Sequence, residues 1–285
     1  MTLEELQERF SPNYRAVQIF DWLQVKGITS WSEASDLPKE MRGHLETQYP
    51  IYSCSIEKKQ VSMDGTVKYL FRLRDGEFVE SVLLKYEHGY SLCVSSQAGC
   101  NRGCLFCSST IGGLQRDLLP SEIIRQIHAA QKDGGHRISH VVMMGMGEPL
   151  DNLDNVLRFL ELAVHPKGLN LSSRNISLST CGVVPGIKRL GERRMGVTLS
   201  VSLHAPNDEL RSLLMPVNRQ YPLSELIQVC RQYAKQTSRR ISFEYTMLHQ
   251  INDTPAQARE LAKLLRGMLS HVNLIPVNPS ARGGY

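Results

Sequence analysis

Cys100, Cys104 and Cys107 stand at C-x3-C-x2-C in the segment AGCNRGCLFCSS, and a fourth cysteine, Cys93, lies seven residues upstream. Gly99 and Gly103 let such a loop bend tightly. A structural zinc calls for four ligands, usually as two paired motifs, whereas the other cysteines, Cys54, Cys181 and Cys230, are scattered singly. Three thiolates suit a [4Fe–4S] cluster in which one iron lacks a protein ligand and stays open to a small molecule.

A loop of this kind needs rigid elements to hold it. At 285 residues and 41% hydrophobic content, the chain can bury one large core with a small appended domain. No apolar run nears the roughly 20 residues of a membrane-spanning helix, and MTLEELQERF lacks the order of a secretion signal. A cytoplasmic, reducing location is expected, with no membrane association and with thiols available for metal. The net charge of +5 is compatible with a polyanionic partner, but it is spread over short pairs such as Lys58-Lys59, Arg193-Arg194 and Arg239-Arg240. Composition alone does not name that partner.

Periodicity divides the chain into three zones. Residues 1–50 read as a small helical domain, with Ala16, Ile19, Phe20 and Leu23 on one face and Asp36 expected to cap the helix that follows Pro38. Residues 51–90 carry alternating strands punctuated by Asp64-Gly65, Asp75-Gly76 and His88-Gly89, an antiparallel β-hairpin extension that includes Cys54. From 91 the rhythm becomes strand then helix, with strands expected near 91–96, 138–144, 175–180, 197–203, 240–247 and 271–277. The fold class is therefore α/β: a partial (β/α)6 barrel over 91–285, with its site in loops at the carboxyl ends of the strands.

The cysteine spacing, with Phe106 before the last cysteine, resembles the radical S-adenosylmethionine (SAM) enzymes. The segments SLCVSSQAGC, MGMGEPLDN, LSTCGVVPGI, SVSLHAPND, MPVNRQYPL and HVNLIPVNP together resemble the RlmN/Cfr methyltransferases, and GEPL rather than GEAL leans to the RlmN branch. The resemblance implies a radical SAM barrel that binds a [4Fe–4S] cluster through Cys100, Cys104 and Cys107 and holds SAM by Gly147, Glu148, Ser179, Ser202, Leu203, His204 and Asn278. It implies methylation of adenine C2 in 23S rRNA and in tRNA, an electron donor such as flavodoxin, and a monomer. Taken singly, Ser179 and Ser202 read as strand-end caps, His204 as a satisfied loop histidine and Glu148 as a turn residue. Their shared position at strand ends is what raises them.

Adenine C2 lies between two ring nitrogens and is too electron-poor to attack the methyl group of SAM. In the family, one SAM methylates a cysteine near the C-terminus, and a second yields the radical that activates that methyl for addition to C2. By resemblance, Glu80 accepts the C2 proton and Cys93 resolves the adduct through a disulfide; without the resemblance, Glu80 reads as solvent-facing. No cysteine here matches the methyl carrier: Cys181 reads as a small loop residue, and Cys230 as core. The chain is thus expected to be truncated after the sixth strand, leaving that strand's apolar face uncovered. The alternative is a short homologue that binds SAM, cluster and RNA without completing methylation.

Overall fold

The computed structural model describes residues 1–52 and 54–276. The chain opens with helices α1 (Leu3–Arg9), α2 (Asn13–Gln24) and α3 (Lys39–Gln48). Thr2 caps α1 in a reciprocal box with Glu5. The α2 stripe of Ala16, Ile19 and Phe20 is buried beside Trp31 and Leu45. Asp36 does not cap α3. Its carboxylate accepts instead from Trp22 Nε1 at 2.5 Å and Gln18 Nε2 at 3.1 Å, and Pro38 occupies the cap position without a side-chain bond. Donors on α2 have claimed the carboxylate.

Strands β1 (Ser55–Val61), β2 (Val67–Arg72) and β3 (Phe78–Tyr86) run antiparallel into β4 (Gly89–Cys93). The first two turns are held by Asp64 and Asp75, whose side chains accept from the amides two residues on. Cys54 lies just ahead of β1 rather than within it. Chain then leaves the sheet as a small ladder of β5 (Gln97–Gly99) and β6 (Leu114–Asp117). It returns through α4 (Pro120–Gly134), β7 (Ile138–Met143), α5 (Leu153–Val164), β8 (Ile176–Thr180), α6 (Val184–Arg193), β9 (Thr198–Ser202), α7 (Asp208–Leu214), α8 (Leu223–Thr237), β10 (Ile241–Met247), α9 (Pro255–Leu265) and β11 (Ser270–Pro276).

Among the described residues, one nine-stranded sheet runs in the order β1-β2-β3-β4-β7-β8-β9-β10-β11, parallel from β4 onward. The hairpin strands therefore extend the barrel sheet itself. Register puts Tyr69, Phe71, Val79, Ser81 and Leu83 on the face that α4 covers, and all five are buried. Gln126 of α4 fastens that face: its Oε1 accepts from Ser81 Oγ at 2.7 Å and Ser95 N at 2.8 Å. The opposite, concave face carries Glu80 and Cys93, and continues through Val142, Ser177 and Ser179 to Ser202 and Glu244. Among the described residues, no helix is long and apolar enough to cross a membrane.

His128 on α4 is buried, and its Nε2 has no partner among the described residues. Burial, then the charge of Arg125, pushes its pKa down to about 3. The unfolded chain binds a proton near pH 6.5 that the folded chain refuses, so this contribution to stability is complete above that pH and is lost as pH falls toward 3. The expected slope is about 1.4 kcal/mol per pH unit for such a group. His128→Gln should flatten the dependence of the urea midpoint on pH in that window; an unaltered curve would contradict the assignment.

Candidate active site

The parallel strands deliver their loops to one rim. After Cys93 the chain leaves the ladder earlier than the expected 91–96 strand, though Val94 N still donates to Val142 O at 2.9 Å. Gly99 has φ +77°, and a Cβ there would lie 1.9 Å from Gly113 O. This tight crossing lets Cys100 N donate to Gly113 O at 3.1 Å and closes the base of the cysteine loop. The loop is seated on neighbouring elements by Leu105 N donating to Leu214 O at 2.9 Å and by Phe106 meeting His204 edge-on at 4.7 Å.

Cys100, Cys104 and Cys107 border one cavity of about 240 Å³ together with Gly147, Glu148, Ser179, Ser202 and His204. Burial pushes the Cys104 thiol up to about 12, with Cys107 and Cys100 adding to the push. Bare thiolates packed this way repel one another, whereas a cationic iron–sulfur core would neutralise them. Among the described residues, no group of three Cys, His, Asp or Glu side chains could hold a metal ion. Cluster ligands bind separate irons, so sulfurs spread around a shared cavity fit a [4Fe–4S] cluster better than a single ion.

Glu148, at the loop after β7, is buried; its Oε2 accepts from Cys181 N at 2.7 Å and its Oε1 from Leu150 N at 3.0 Å. Burial raises its pKa against the lowering effect of those amides. The carboxylate is held rigid and keeps acceptor capacity toward the cavity for an ammonium group. Gly147 has φ +100°, and a Cβ there would lie 2.5 Å from Gln97 Cβ. Glycine is thus required by the packing of the protein itself, beyond any approach of a ligand. Gly147→Ala should destabilise the fold by about 1–3 kcal/mol, read as a lowered denaturant midpoint with unchanged slope; a wild-type midpoint would contradict this.

His204 adopts φ +57°, and its Nδ1 accepts from Thr246 N at 2.9 Å, which leaves the proton on Nε2. Burial, followed by the charge of Arg211, lowers its pKa to about 3, so the ring is neutral. Leu203 does not present its side chain to the cavity: it is fully buried, and its backbone N donates to Glu244 O at 3.0 Å. Asn278 lies outside the described residues. Glu80 and Cys93 share the concave face but do not line the cavity. Glu80 is half-exposed and pairs with Lys68 at 2.8 Å. Cys93 is a thiol in no disulfide, and burial pushes it up to about 11; the expected disulfide is not present.

Sequence reasoning missed Glu244 and Arg211. Glu244 lines the cavity from β10, where its carboxylate accepts from Ser242 Oγ at 2.9 Å and Asn273 Nδ2 at 2.7 Å. An acidic residue at an inward position of ISFEYTM was the available signal. Cys181, read as a loop residue, also lines the cavity, and Cys230 is core as expected.

Residues 94–265 match the Radical SAM superfamily model. A radical SAM methyltransferase from Sphaerobacter thermophilus superposes with a TM-score of 0.94 at 44% identity, covering 99% of this chain and 85% of that one. The [FeFe]-hydrogenase maturase HydG, at 14% identity and a TM-score of 0.50, covers 68% of this chain and 44% of its own, and shares the fold alone. Fold and cavity together thus define a radical SAM enzyme. A probable dual-specificity RNA methyltransferase RlmN from Lachnoclostridium phytofermentans is 47% identical over all of this chain and 82% of its own length. One from Desulforamulus reducens is 51% identical over 93% of this chain and 76% of its own. Within the radical SAM superfamily, the chain belongs to the RlmN family.

Proposed function

We propose that this chain carries the radical SAM machinery for methylating C2 of an adenosine in 23S rRNA and in tRNA, in the cytoplasm, as a monomer reduced by a flavodoxin-like donor. The observation that carries the reading is the single cavity that gathers three cysteines, Glu148, Ser179, Ser202 and His204. When bound there, a [4Fe–4S] cluster and SAM supply a one-electron cleavage of the sulfonium that yields a 5′-deoxyadenosyl radical. Cys100, Cys104 and Cys107 would hold the cluster, and Glu148 would receive the ammonium end of SAM. Ser179, Ser202 and neutral His204 offer hydroxyl and Nε2–H groups to its carboxylate and ribose, with Asn278 assigned to adenine. Buried walls around these groups limit water.

Glu80 is assigned as acceptor of the C2 proton and Cys93 as the thiol that releases the product. Both stand on the concave face, with Cys93 on the strand that leads into the cysteine loop. Burial makes Cys93 a poor nucleophile until a base takes its proton. The methyl-carrying cysteine has no counterpart among the seven cysteines of this sequence. This favours a second form of the reading, in which these 285 residues bind SAM, cluster and RNA but stop before methyl transfer.

RNA as substrate is tested by titrating the reconstituted protein with 23S rRNA fragments and tRNA across a salt series. Binding whose logarithm falls linearly with log salt is expected. No affinity for either RNA, alongside normal SAM cleavage, would point to a small-molecule substrate and overturn the assignment.

A further inference from the structure

Arg211 on α7 is fully buried, and each of its hydrogen-bond partners is neutral. Its Nε donates to Leu203 O at 3.2 Å and Nη1 to Asn218 Oδ1 at 3.0 Å. Nη2 donates to Cys181 O at 2.6 Å and Ser202 O at 3.1 Å. Among the described residues, no carboxylate pairs with it within salt-bridge distance. A buried cation is expensive, and the carboxylate within electrostatic reach of this one, Asp208, meets it only through Asn218, whose Nδ2 donates to Asp208 Oδ1 at 2.9 Å.

The surroundings place the charge of Arg211 beside the cavity. The carbonyls of Cys181 and Ser202 lie at the ends of β8 and β9, beside the cavity. The end of the same helix and the residues just after it support the cysteine loop: Leu214 O accepts from Leu105 N, Met215 lines the cavity, and Pro216 lies 3.6 Å from where a Gly103 Cβ would stand. Arg211 also lies within electrostatic reach of Cys104. A [4Fe–4S] core held by three thiolates is a net anion, and one-electron reduction adds a further negative charge without a proton.

We infer that Arg211 is a positioning residue of the reductive step: it fastens the ends of β8 and β9 to α7, and its buried charge favours the reduced cluster. The inference rests on the cysteine loop holding that cluster. Removing the charge makes the cluster harder to reduce, and a substitution that keeps the charge does not.

The test is an anaerobic titration of the reconstituted 285-residue protein with dithionite, followed by electron paramagnetic resonance, for the wild type, Arg211→Gln and Arg211→Lys. At a fixed potential, the reduced-to-oxidised ratio of Arg211→Gln should fall at least about tenfold, equivalent to 59 mV for one electron. Arg211→Lys should stay within about threefold of the wild type, a smaller displacement on the same scale. A Gln variant with an intact cluster and unshifted ratio overturns the inference, as does a Lys variant shifted as far as the Gln variant is expected to be. If the Gln variant holds no cluster, the Lys variant decides alone by the same criterion. A wild type lacking any [4Fe–4S] signal would instead sink the cluster reading on which the inference stands.

Discussion

Cys104→Ala should lower reductive cleavage of SAM by at least about a hundredfold, since even outer-shell changes at metal sites cost 10–100-fold. Cys104 is nearly buried at the cavity wall, between Cys100 and Cys107 in sequence and coupled electrostatically to both. In the proposed site its loss leaves two thiolates where the cluster would take three, and no neighbouring loop cysteine at matching spacing replaces it. The side chain is small, so the fold should survive, and the far-ultraviolet circular dichroism should match the wild type. The measurement is 5′-deoxyadenosine released under dithionite, beside iron content. Wild-type turnover by the variant would show that Cys104 is not a ligand.

The second large effect separates radical generation from methylation. The wild-type 285-residue polypeptide, given SAM, reductant and 23S rRNA fragments, should release 5′-deoxyadenosine while leaving adenine unmethylated. In the proposed reaction, methyl addition to C2 needs a carrier thiol, and the thiols present are otherwise placed. Cys100, Cys104 and Cys107 line the cavity assigned to the cluster, Cys230 is fully buried in the core, and Cys54 lies ahead of β1. Cys93 is the assigned resolving thiol. Cys181 lies in the cavity wall, its amide tied to Glu148. Mass spectrometry of nuclease-digested RNA reads the outcome, and 2-methyladenosine made by this polypeptide would refute the argument.

Much of this site was legible in the sequence because its ligands are local or lie at strand ends. The three cysteines fall within one loop, Ser179 and Ser202 lie in the last residues of strands, and Glu148 and His204 follow strands, each strand with a plain hydrophobic run. What escaped was tertiary. Arg211 lies in DELRSLL, where a charged residue in a short helix looks solvated, and only folding brings it against three strand-end carbonyls. Asp36 carried a capping signal, but Trp22 and Gln18 took its carboxylate. Gly147 lines the cavity, but the need for glycine there also comes from Gln97, which occupies the space a Cβ would take. Leu203, just after β9, buries its side chain in the core and has only its backbone to offer the site.

The central claim is that three sulfurs leave one iron of a cluster open to SAM. It is tested most directly by reconstituting the purified protein under anaerobic conditions, then measuring bound metal and the products of SAM after dithionite is added. Iron and sulfide in the proportions of a [4Fe–4S] cluster, with 5′-deoxyadenosine and methionine formed together, are predicted. Bound zinc, or an iron-loaded protein that leaves SAM intact, would contradict it.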